Sequence, residues 1–433
     1  MAATIFAQAT PPGRSGIAVI RISGPRARAA AAALGAGGTP ERRAVLRRLV
    51  DPRDGRPLDD ALVLRFDGPR SFTGEDSVEL HLHGGPAVCR SVADALAAEP
   101  ELRPAEPGEF ARRALLNGRI DLAQIEGLGD LLAAETAAQS RRALELMDGG
   151  LSRQAAAWRE PLVRALALVE AGLDFADEDL PGDLVAESVA ALDGVAAAMR
   201  RELVGSGAAE RLRLGFEVAL VGPPNVGKST LLNRIAGREA AIVSAVPGTT
   251  RDPIEVRMEA RGLPLTLVDT AGLRDPGDSV EAIGVERARR RAEAADLRVF
   301  LVETPEDTEA LGLSVGPEDI IVLAKADLTP GRREPSVSGR TGAGIAVLVD
   351  RIATVLETRS ATAGAVGHER QRVAVEQSEQ AIRRTIVLLH PDPDLDLAAE
   401  ELRAALRALD VLVGKVGVED VLDVIFARFC IGK

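Results

Sequence analysis

The sequence predicts a multidomain α/β plus all-α chain in which one alternating strand–helix module interrupts a run of helices. An apolar run, Phe216 to Val221, leads into Gly222-Pro-Pro-Asn-Val-Gly-Lys-Ser229 and then into a helical stretch, Ser229 to Ile235. Apolar positions with the helical period lie on both sides of that module. A strand-bearing α+β segment precedes them all.

Residues 1–117 read as α+β. Gly16 to Ile22 and Ser77 to His83 are strand-like. Successive side chains of a strand alternate, so Val78, Leu80 and Leu82 share one face and Glu79, His81 and His83 the other. From Ile120 the period turns helical, through Leu122, Ile125, Leu128 and Leu132, then Trp158, Leu162, Leu166, Val169 and Leu173. The acidic stretch Asp174 to Asp179 breaks the helices as a solvated loop, and helix returns from Val185 to Leu212. Residues 213–357 alternate strand and helix. A Gly/Ala/Thr linker, Ser360 to Gly367, follows. The helical period resumes with Leu402, Leu406, Leu409 and Val413, then Leu422, Ile425, Phe426 and Phe429. The expected domains are 1–117, 118–212, 213–357 and 358–433. The helices on either side form one domain, with the ends of the insert close together; two separate helical units are the alternative.

Composition excludes several classes. A net charge of −12 with 27% charged residues suits a soluble chain and not a general polyanion binder. Nine Phe, one Trp and no Tyr leave few platforms for stacking a single strand. Two distant cysteines, Cys89 and Cys430, predict a reducing compartment without a disulfide framework. No apolar run reaches the roughly 18 residues of a membrane span. The N-terminus lacks a basic stretch followed by an apolar one, so a cytoplasmic location is expected. His81 and His83, without nearby Cys or acidic spacing, make a poor metal site. Cys430 reads as a packed small residue at a helix end, with a reactive thiol as the alternative.

The pattern GxxxxGK[ST] between a strand and a helix is a phosphate cradle. Main-chain N–H groups of Asn225, Val226, Gly227, Lys228, Ser229 and Thr230 face phosphate at a helix N-terminus. Lys228 reaches the β and γ oxygens, and the Ser229 hydroxyl holds Mg²⁺. Pro247-Gly-Thr-Thr-Arg-Asp252 reads as a switch segment, with Thr250 the candidate second Mg²⁺ ligand. A hairpin, Glu255 to Ala260 and Leu263 to Val268, turns at Arg261-Gly262, and its second strand ends in Asp269-Thr270-Ala271-Gly272, four residues expected to bind GTP. Asp269 can hold Mg²⁺ through water, and the Gly272 N–H can sense the γ-phosphate. Leu273 stands where many GTPases place a water-orienting Gln. Glu281 is the candidate to orient water instead, although spacing alone reads it as an ordinary helix-start residue. Lys228, Thr250 and Glu281 are the expected catalytic groups.

Base choice falls to Ala324-Lys-Ala-Asp327, after the apolar run Ile320 to Leu323. Asp327 can accept from the guanine N1–H and 2-amino group, which adenine cannot offer. Lys325 packs over the base. Many GTPases carry Asn where this chain has Ala324; an unpaired polar group there costs about 1–3 kcal/mol, so weakened guanine affinity is expected. Ser338, Gly339 and Arg340, in Val337-Ser-Gly-Arg340, supply the next base-binding loop; Ser-Ala is the commoner pattern here, and like Ala324 this departure touches guanine affinity and not the phosphate chemistry.

Further stretches point to a family. Ala7-Gln-Ala-Thr-Pro-Pro-Gly-Arg14, Ser71-Phe-Thr-Gly-Glu-Asp76, His83-Gly-Gly-Pro86, Arg103-Pro-Ala-Glu-Pro-Gly-Glu-Phe110, Asn117-Gly-Arg-Ile-Asp-Leu-Ala-Gln124 and Phe429-Cys-Ile-Gly-Lys433 resemble the tRNA-modification GTPase MnmE (TrmE) family. The resemblance runs over essentially the whole chain. It implies an α+β N-terminal folate-binding-like domain and a helical domain split by an inserted Ras-like P-loop G domain. It implies GTP hydrolysis in the service of an aminomethyl-type modification at C5 of the wobble uridine of certain tRNAs, with the flavoprotein MnmG (GidA) as partner. It further implies a homodimer, a 5-formyltetrahydrofolate-type one-carbon donor, and G domains that pair when GTP and K⁺ bind. Carried across, the GTP-binding and potassium loop spans Ser244, Ala245, Val246, Pro247, Gly248 and Thr249, with Asn225, Ser244, Val246 and Thr249 as K⁺ ligands. On spacing alone Asn225 is equally an ordinary loop residue. The catalytic role of Glu281 belongs to the same implication, as do folate contacts at Arg21, Glu79, Arg119 and Lys433. Arg21, a charge near the end of an apolar strand, needs a partner or ligand; a structural Arg–Glu pair with Glu79 is the alternative. An Era-like ribosome-assembly switch, for which no basic patch or RNA motif appears, and a folate-dependent one-carbon transferase with a regulatory G module are the rival readings.

Overall fold

Alternating apolar and polar residues build the first sheet. Its strands are β1 (Thr4–Gln8), β2 (Ile17–Ser23), β3 (Val45–Val50), β4 (Pro57–Phe66), β5 (Ser77–His83) and β6 (Leu102–Pro104). The spatial order is β3-β4-β5-β2-β1-β6, antiparallel throughout except for the β1–β6 pair. Helices α1 (Ala27–Ala31) and α2 (Pro86–Ala97) go with one face. There Ile20, Ile22, Val63, Leu80 and Leu82 form a core with Leu34, Val92 and Leu96. Helix α3 (Glu109–Leu116) carries Phe110 into a smaller cluster with Ile5 and Ala7. The expected alternation holds on β5: Val78, Leu80 and Leu82 are buried, while Glu79 and His81 are half-buried and His83 is exposed.

The computed structural model describes residues 3–174, 182–237, 255–270, 289–328, 335–390, 393–415 and 432. Contacts divide the chain into residues 1–129 with 410–433, and residues 130–409. In the first unit, Ala111, Leu122 and Ile125 form a separate cluster where α3 meets α4 (Leu122–Ala133). The acidic stretch after Asp174, the final apolar residues Leu422 to Phe429 and Cys430 lie outside the described residues.

The second unit holds α5 (Ala137–Met147), α6 (Gly150–Asp174) and α7 (Gly182–Leu214), followed by a five-stranded sheet. Its elements are β7 (Phe216–Val221), α8 (Lys228–Ala236), β8 (Glu255–Ala260), β9 (Leu263–Asp269), β10 (Leu297–Val302) and β11 (Ile320–Leu323). The order is β11-β10-β7-β9-β8, and only the β8–β9 hairpin is antiparallel. Arg261 and Gly262 at its turn have φ of 49° and 84°, the positive pair that suits a two-residue hairpin turn. The strands other than β8 read as apolar runs because a parallel sheet is covered on both faces.

After the sheet come α9 (Ile345–Ser360), α10 (Glu369–Leu388) and α11 (Leu395–Val413). Helix α10 packs along α7, so helices from before and after the module meet in one helical layer. The chain enters the module at Gly215 and returns through residues 361–368. Arg213 Nε donates to the Gly367 carbonyl at 3.1 Å, which brings the two crossings together. The module is therefore an insert, and the two-unit alternative for the helices falls.

The helical stripes differ in detail from the spacing. From Trp158 onward the buried positions of α6 are Trp158, Leu162, Ala165, Val169 and Gly172, with Leu166 and Leu173 only partly covered. Small residues take the closest approach, and a 3.6-residue turn favours i+7 and i+14 over i+8 and i+15. On α11 Leu412, not Val413, is fully buried. Among the described residues no helix is long and apolar enough to cross a membrane.

Candidate functional site

The phosphate loop occupies the crevice at the carboxyl end of β7, where open α/β sheets hold ligands. Val221 ends the strand, and Lys228 begins α8. Between them Asn225 and Gly227 take φ of 60° and 112°, turns that aim successive N–H groups into one concavity. Gly222 is obligatory, because a Cβ there would lie 2.1 Å from the Leu301 carbonyl oxygen. Val226 anchors the loop in the core beneath.

Lys228 is 4% exposed and lies across its own loop. Its Nζ donates to the carbonyls of Gly222 at 2.7 Å and Pro223 at 3.0 Å. Ser229 Oγ donates to Asp269 Oδ2 at 2.7 Å. Asp269 is fully buried at the end of β9, where Leu220 of β7 is its register partner. Two oxygen donors that the sequence separates by forty positions thus meet at the mouth of the loop. Hard oxygen ligands of this kind suit Mg²⁺. Thr270 points the other way: its hydroxyl donates to the Leu220 carbonyl at 2.8 Å. Its side chain ties the end of β9 to β7.

Ala324 follows β11, buried in the same apolar cluster as Val226, Leu231 and Val337. Lys325 has φ of 57°, and its ammonium pairs with Glu303. Glu303 sits just past the end of β10 and had no motif to flag it. Asp327 Oδ1 accepts from Ser338 Oγ at 2.6 Å. That hydroxyl, followed by a main-chain N–H, holds the Asp327 carboxyl below the usual carboxylate range. Ser338 is buried, whereas Arg340 is exposed. The Ala326 N–H donates to the Val337 carbonyl at 3.1 Å, which fastens the two base-loop segments together.

Ser244, Ala245, Val246, Pro247, Gly248, Thr249, Thr250, Ala271, Gly272 and Glu281 lie outside the described residues. The described part of the site is thus the phosphate loop, the Asp269 carboxylate and the base loops.

A second constellation lies on the first sheet. Arg21 and Glu79 are direct register partners on β2 and β5, with Nη2 2.8 Å from Oε1. The Arg21 guanidinium sits 5.7 Å from the Phe72 ring centre and 5.8 Å from that of Phe110. Both rings stand in stretches that carry the family resemblance, but the motifs do not place them beside Arg21, since Phe72 reaches β2 only through the fold. Arg119 Nε donates to the Ser71 carbonyl at 3.2 Å, and its stem lies against Gly74. The loop from Ser71 to Asp76 therefore touches both cationic residues. Gly432 presses on Gln8 and Ala9, while Lys433 lies outside the described residues. His81 Nε2 is 3.4 Å from Glu79, and His83 Nδ1 is 2.7 Å from Asp59. Among the described residues no cluster of three His, Cys, Asp or Glu is placed to hold a metal.

Residues 4–119 match the family described as GTP-binding protein TrmE N-terminus, and residues 122–430 match the MnmE helical domain. The tRNA modification GTPase MnmE of Ruegeria pomeroyi is 53% identical over 431 residues, covering 99% of this chain and 100% of that protein. That of Cereibacter sphaeroides is 53% identical over 432 residues with the same coverage. The G domain of the T. maritima FeoB iron transporter is 24% identical, covers 32% of this chain and 98% of that chain, and has a TM-score of 0.24, too low to carry weight. With half its residues identical to such relatives from end to end, the chain belongs to the tRNA modification GTPase MnmE family.

Proposed function

We propose that the chain hydrolyses GTP and thereby serves tRNA modification. The observation that carries this reading is the meeting of Ser229 and Asp269 at the mouth of the phosphate loop. Lys228 exchanges its loop carbonyls for β- and γ-phosphate oxygens when nucleotide enters. Ser229 and Thr250 would hold Mg²⁺ directly and Asp269 through water. The ion, when bound, offsets negative charge on the phosphate oxygens. Glu281 orients the attacking water, because Leu273 cannot. Charge already in place accounts for most of the rate effect. Asp327, aligned by Ser338, selects guanine.

The finer reading rests on family membership. With a flavoprotein partner of the MnmG type, the chain installs an aminomethyl-type group at C5 of the wobble uridine. It acts in the cytoplasm as a homodimer whose G domains pair when K⁺ is bound near Asn225 and residues 244–249. Arg21, Glu79, Arg119 and Lys433 hold a 5-formyltetrahydrofolate-type donor. A guanidinium suits the folate's glutamate tail and a carboxylate suits the pterin N–H edge, whereas the ion pair between Arg21 and Glu79 is equally what a structural pair would give. The functional segments are residues 1–117, 118–212, 213–357 and 358–433.

Mass spectrometry of tRNA nucleosides from a deletion strain tests the whole reading. Loss of the wobble-uridine modification, restored by the wild-type chain and not by Lys228→Ala, is expected. Intact nucleosides with stalled ribosome precursors would refute it in favour of an assembly switch.

A further inference from the structure

The contact between the base-reading loop and the phosphate-loop helix is made by main chain. A Cβ on Gly339 would lie 2.8 Å from the Leu231 nitrogen, 2.9 Å from the Thr230 carbonyl carbon and 3.1 Å from the Leu231 Cα. All three are backbone atoms of the first turn of α8, which cannot swing aside as a side-chain tip would. The loop is held to α8 at a second point, where Arg234 Nη2 donates to the Thr341 carbonyl at 3.2 Å. Between these points Ser338 is folded inward, 1% exposed, and its hydroxyl accepts from the Thr341 N–H at 3.1 Å while donating to Asp327. At position 324, where a polar side chain would be the alternative tie, Ala324 offers only a methyl group in an apolar cluster.

We propose that Gly339 is a specificity-determining positioning residue: by lacking a Cβ it lets the base loop rest on the first turn of α8, and this seat sets where Ser338 holds the guanine-reading carboxylate of Asp327. The seat replaces a polar tie at position 324. Base and phosphate ends of the site are thereby registered through one helix. A displacement of Gly339 by a few tenths of an ångström moves Ser338 and, through its hydroxyl, Asp327. The effect falls on the base edge that Asp327 reads and not on the phosphates. This rests on the guanine-nucleotide reading above.

The test compares the affinities of GDP and inosine diphosphate, which lacks the 2-amino group, for the full-length chain. Gly339→Ala is expected to weaken GDP about tenfold while inosine diphosphate changes less, so that the ratio moves toward unity. Arg234→Met adds no bulk at the seat and removes the second hold, so it guards against misfolding of the first variant; a smaller shift in the same direction is expected. Ala324→Asn is expected to leave GDP affinity equal or lower. Wild-type ratios in both Gly339→Ala and Arg234→Met, equal losses for the two nucleotides, or tenfold tighter GDP binding by Ala324→Asn would overturn the proposal. A wild-type chain that binds neither nucleotide would overturn the guanine reading and this inference with it.

Discussion

Replacing Ser229 by Ala separates what its hydroxyl does for the fold from what it does for a metal. The fold loses the 2.7 Å hydrogen bond from Oγ to Asp269 Oδ2. A hydrogen bond to a charged group contributes about 1.5–3 kcal/mol when its loss strands the partner. Here Ser229 is exposed, so water replaces its hydroxyl, and buried Asp269 keeps other interactions. The structural loss is therefore about 1 kcal/mol, the ordinary net value. A midpoint drop of about 2–4 °C follows for a unit of this size.

The metal role predicts a different magnitude. With Ser229 as a direct ligand, its removal should abolish most of the gain in triphosphate affinity that Mg²⁺ confers, a loss of tenfold or more, equal to at least about 1.4 kcal/mol. The assay is titration with a non-hydrolysable GTP analogue, with Mg²⁺ and with chelator. The wild-type chain should bind more tightly with Mg²⁺, Ser229→Ala should match it in chelator and gain little from the metal, and Ser229→Thr should behave as wild type. A Ser229→Ala chain that keeps the full Mg²⁺ gain refutes the assignment. So does an equal loss in both conditions, which would make the hydroxyl purely structural.

Five further outcomes are expected. Gly222→Ala places a methyl group 2.1 Å from the Leu301 carbonyl oxygen, so the loop must shift; stability falls by about 1–3 kcal/mol and nucleotide binding, followed by calorimetry, is lost. Trp158→Ala empties a buried position on α6, costs about 3–5 kcal/mol by denaturant melts, and leaves GDP affinity unchanged in the folded fraction. Asp327→Asn reverses the base preference toward xanthosine nucleotides. In the wild type the Ser338 hydroxyl depresses the Asp327 carboxyl. A depressed carboxylate contributes above its unfolded pKa and loses that contribution as pH falls through the folded one. Guanine affinity should thus be flat between about pH 8 and pH 5 and decline only below about 3.9. Arg21→Ala should weaken reduced-folate binding about tenfold by fluorescence titration, with Arg21→Lys intermediate because the planar fork is lost; unchanged affinity would leave Arg21 and Glu79 as a structural pair.

Much of the second unit was legible because its signals are local. The β8–β9 hairpin announces itself by two β-rich runs around Arg261-Gly262, and the structure has those bounds with one residue added at Asp269. The phosphate loop is legible because its backbone demands glycine at Gly222 and favours it at Gly227. Other features depend on distance along the chain. Nothing in Val337-Ser-Gly-Arg340 says that Gly339 will rest on α8, a contact made only when the sheet brings the two together. By motif Thr270 belongs with the GTP-binding residues, and only the fold shows that its hydroxyl serves the Leu220 carbonyl. The stripe on α6 was displaced because small residues beneath another helix bury more deeply than the leucines that flank them. In the first unit, alternation revealed the face of Arg21 and Glu79, but not the rings of Phe72 and Phe110 beside it.

The placement of Ser229 against Asp269 follows from strand register. Leu220 pairs with Asp269 in the parallel β7–β9 ladder, and both strands are buried along nearly their whole length. Slipping β9 by one residue would shift Asp269 by about 3.3 Å and turn its side chain to the opposite face. The Thr270 hydroxyl on the Leu220 carbonyl opposes that slip at the end where it matters. Helix α8 begins at Lys228, so Ser229 is fixed within its first turn. One partner is thus set by a sheet and the other by a helix start, and neither depends on a long loop. Gly339 rests against the same helix turn, so the helix start that fixes Ser229 also seats the loop that aligns Asp327. Breaking the Ser229 hydrogen bond leaves the ladder intact, whereas Thr270→Val loosens the ladder and leaves the hydroxyl of Ser229 in place. If metal-linked affinity responds to the first change far more than to the second, the chemistry belongs to the oxygen donors; a reversed order would assign it to the scaffold.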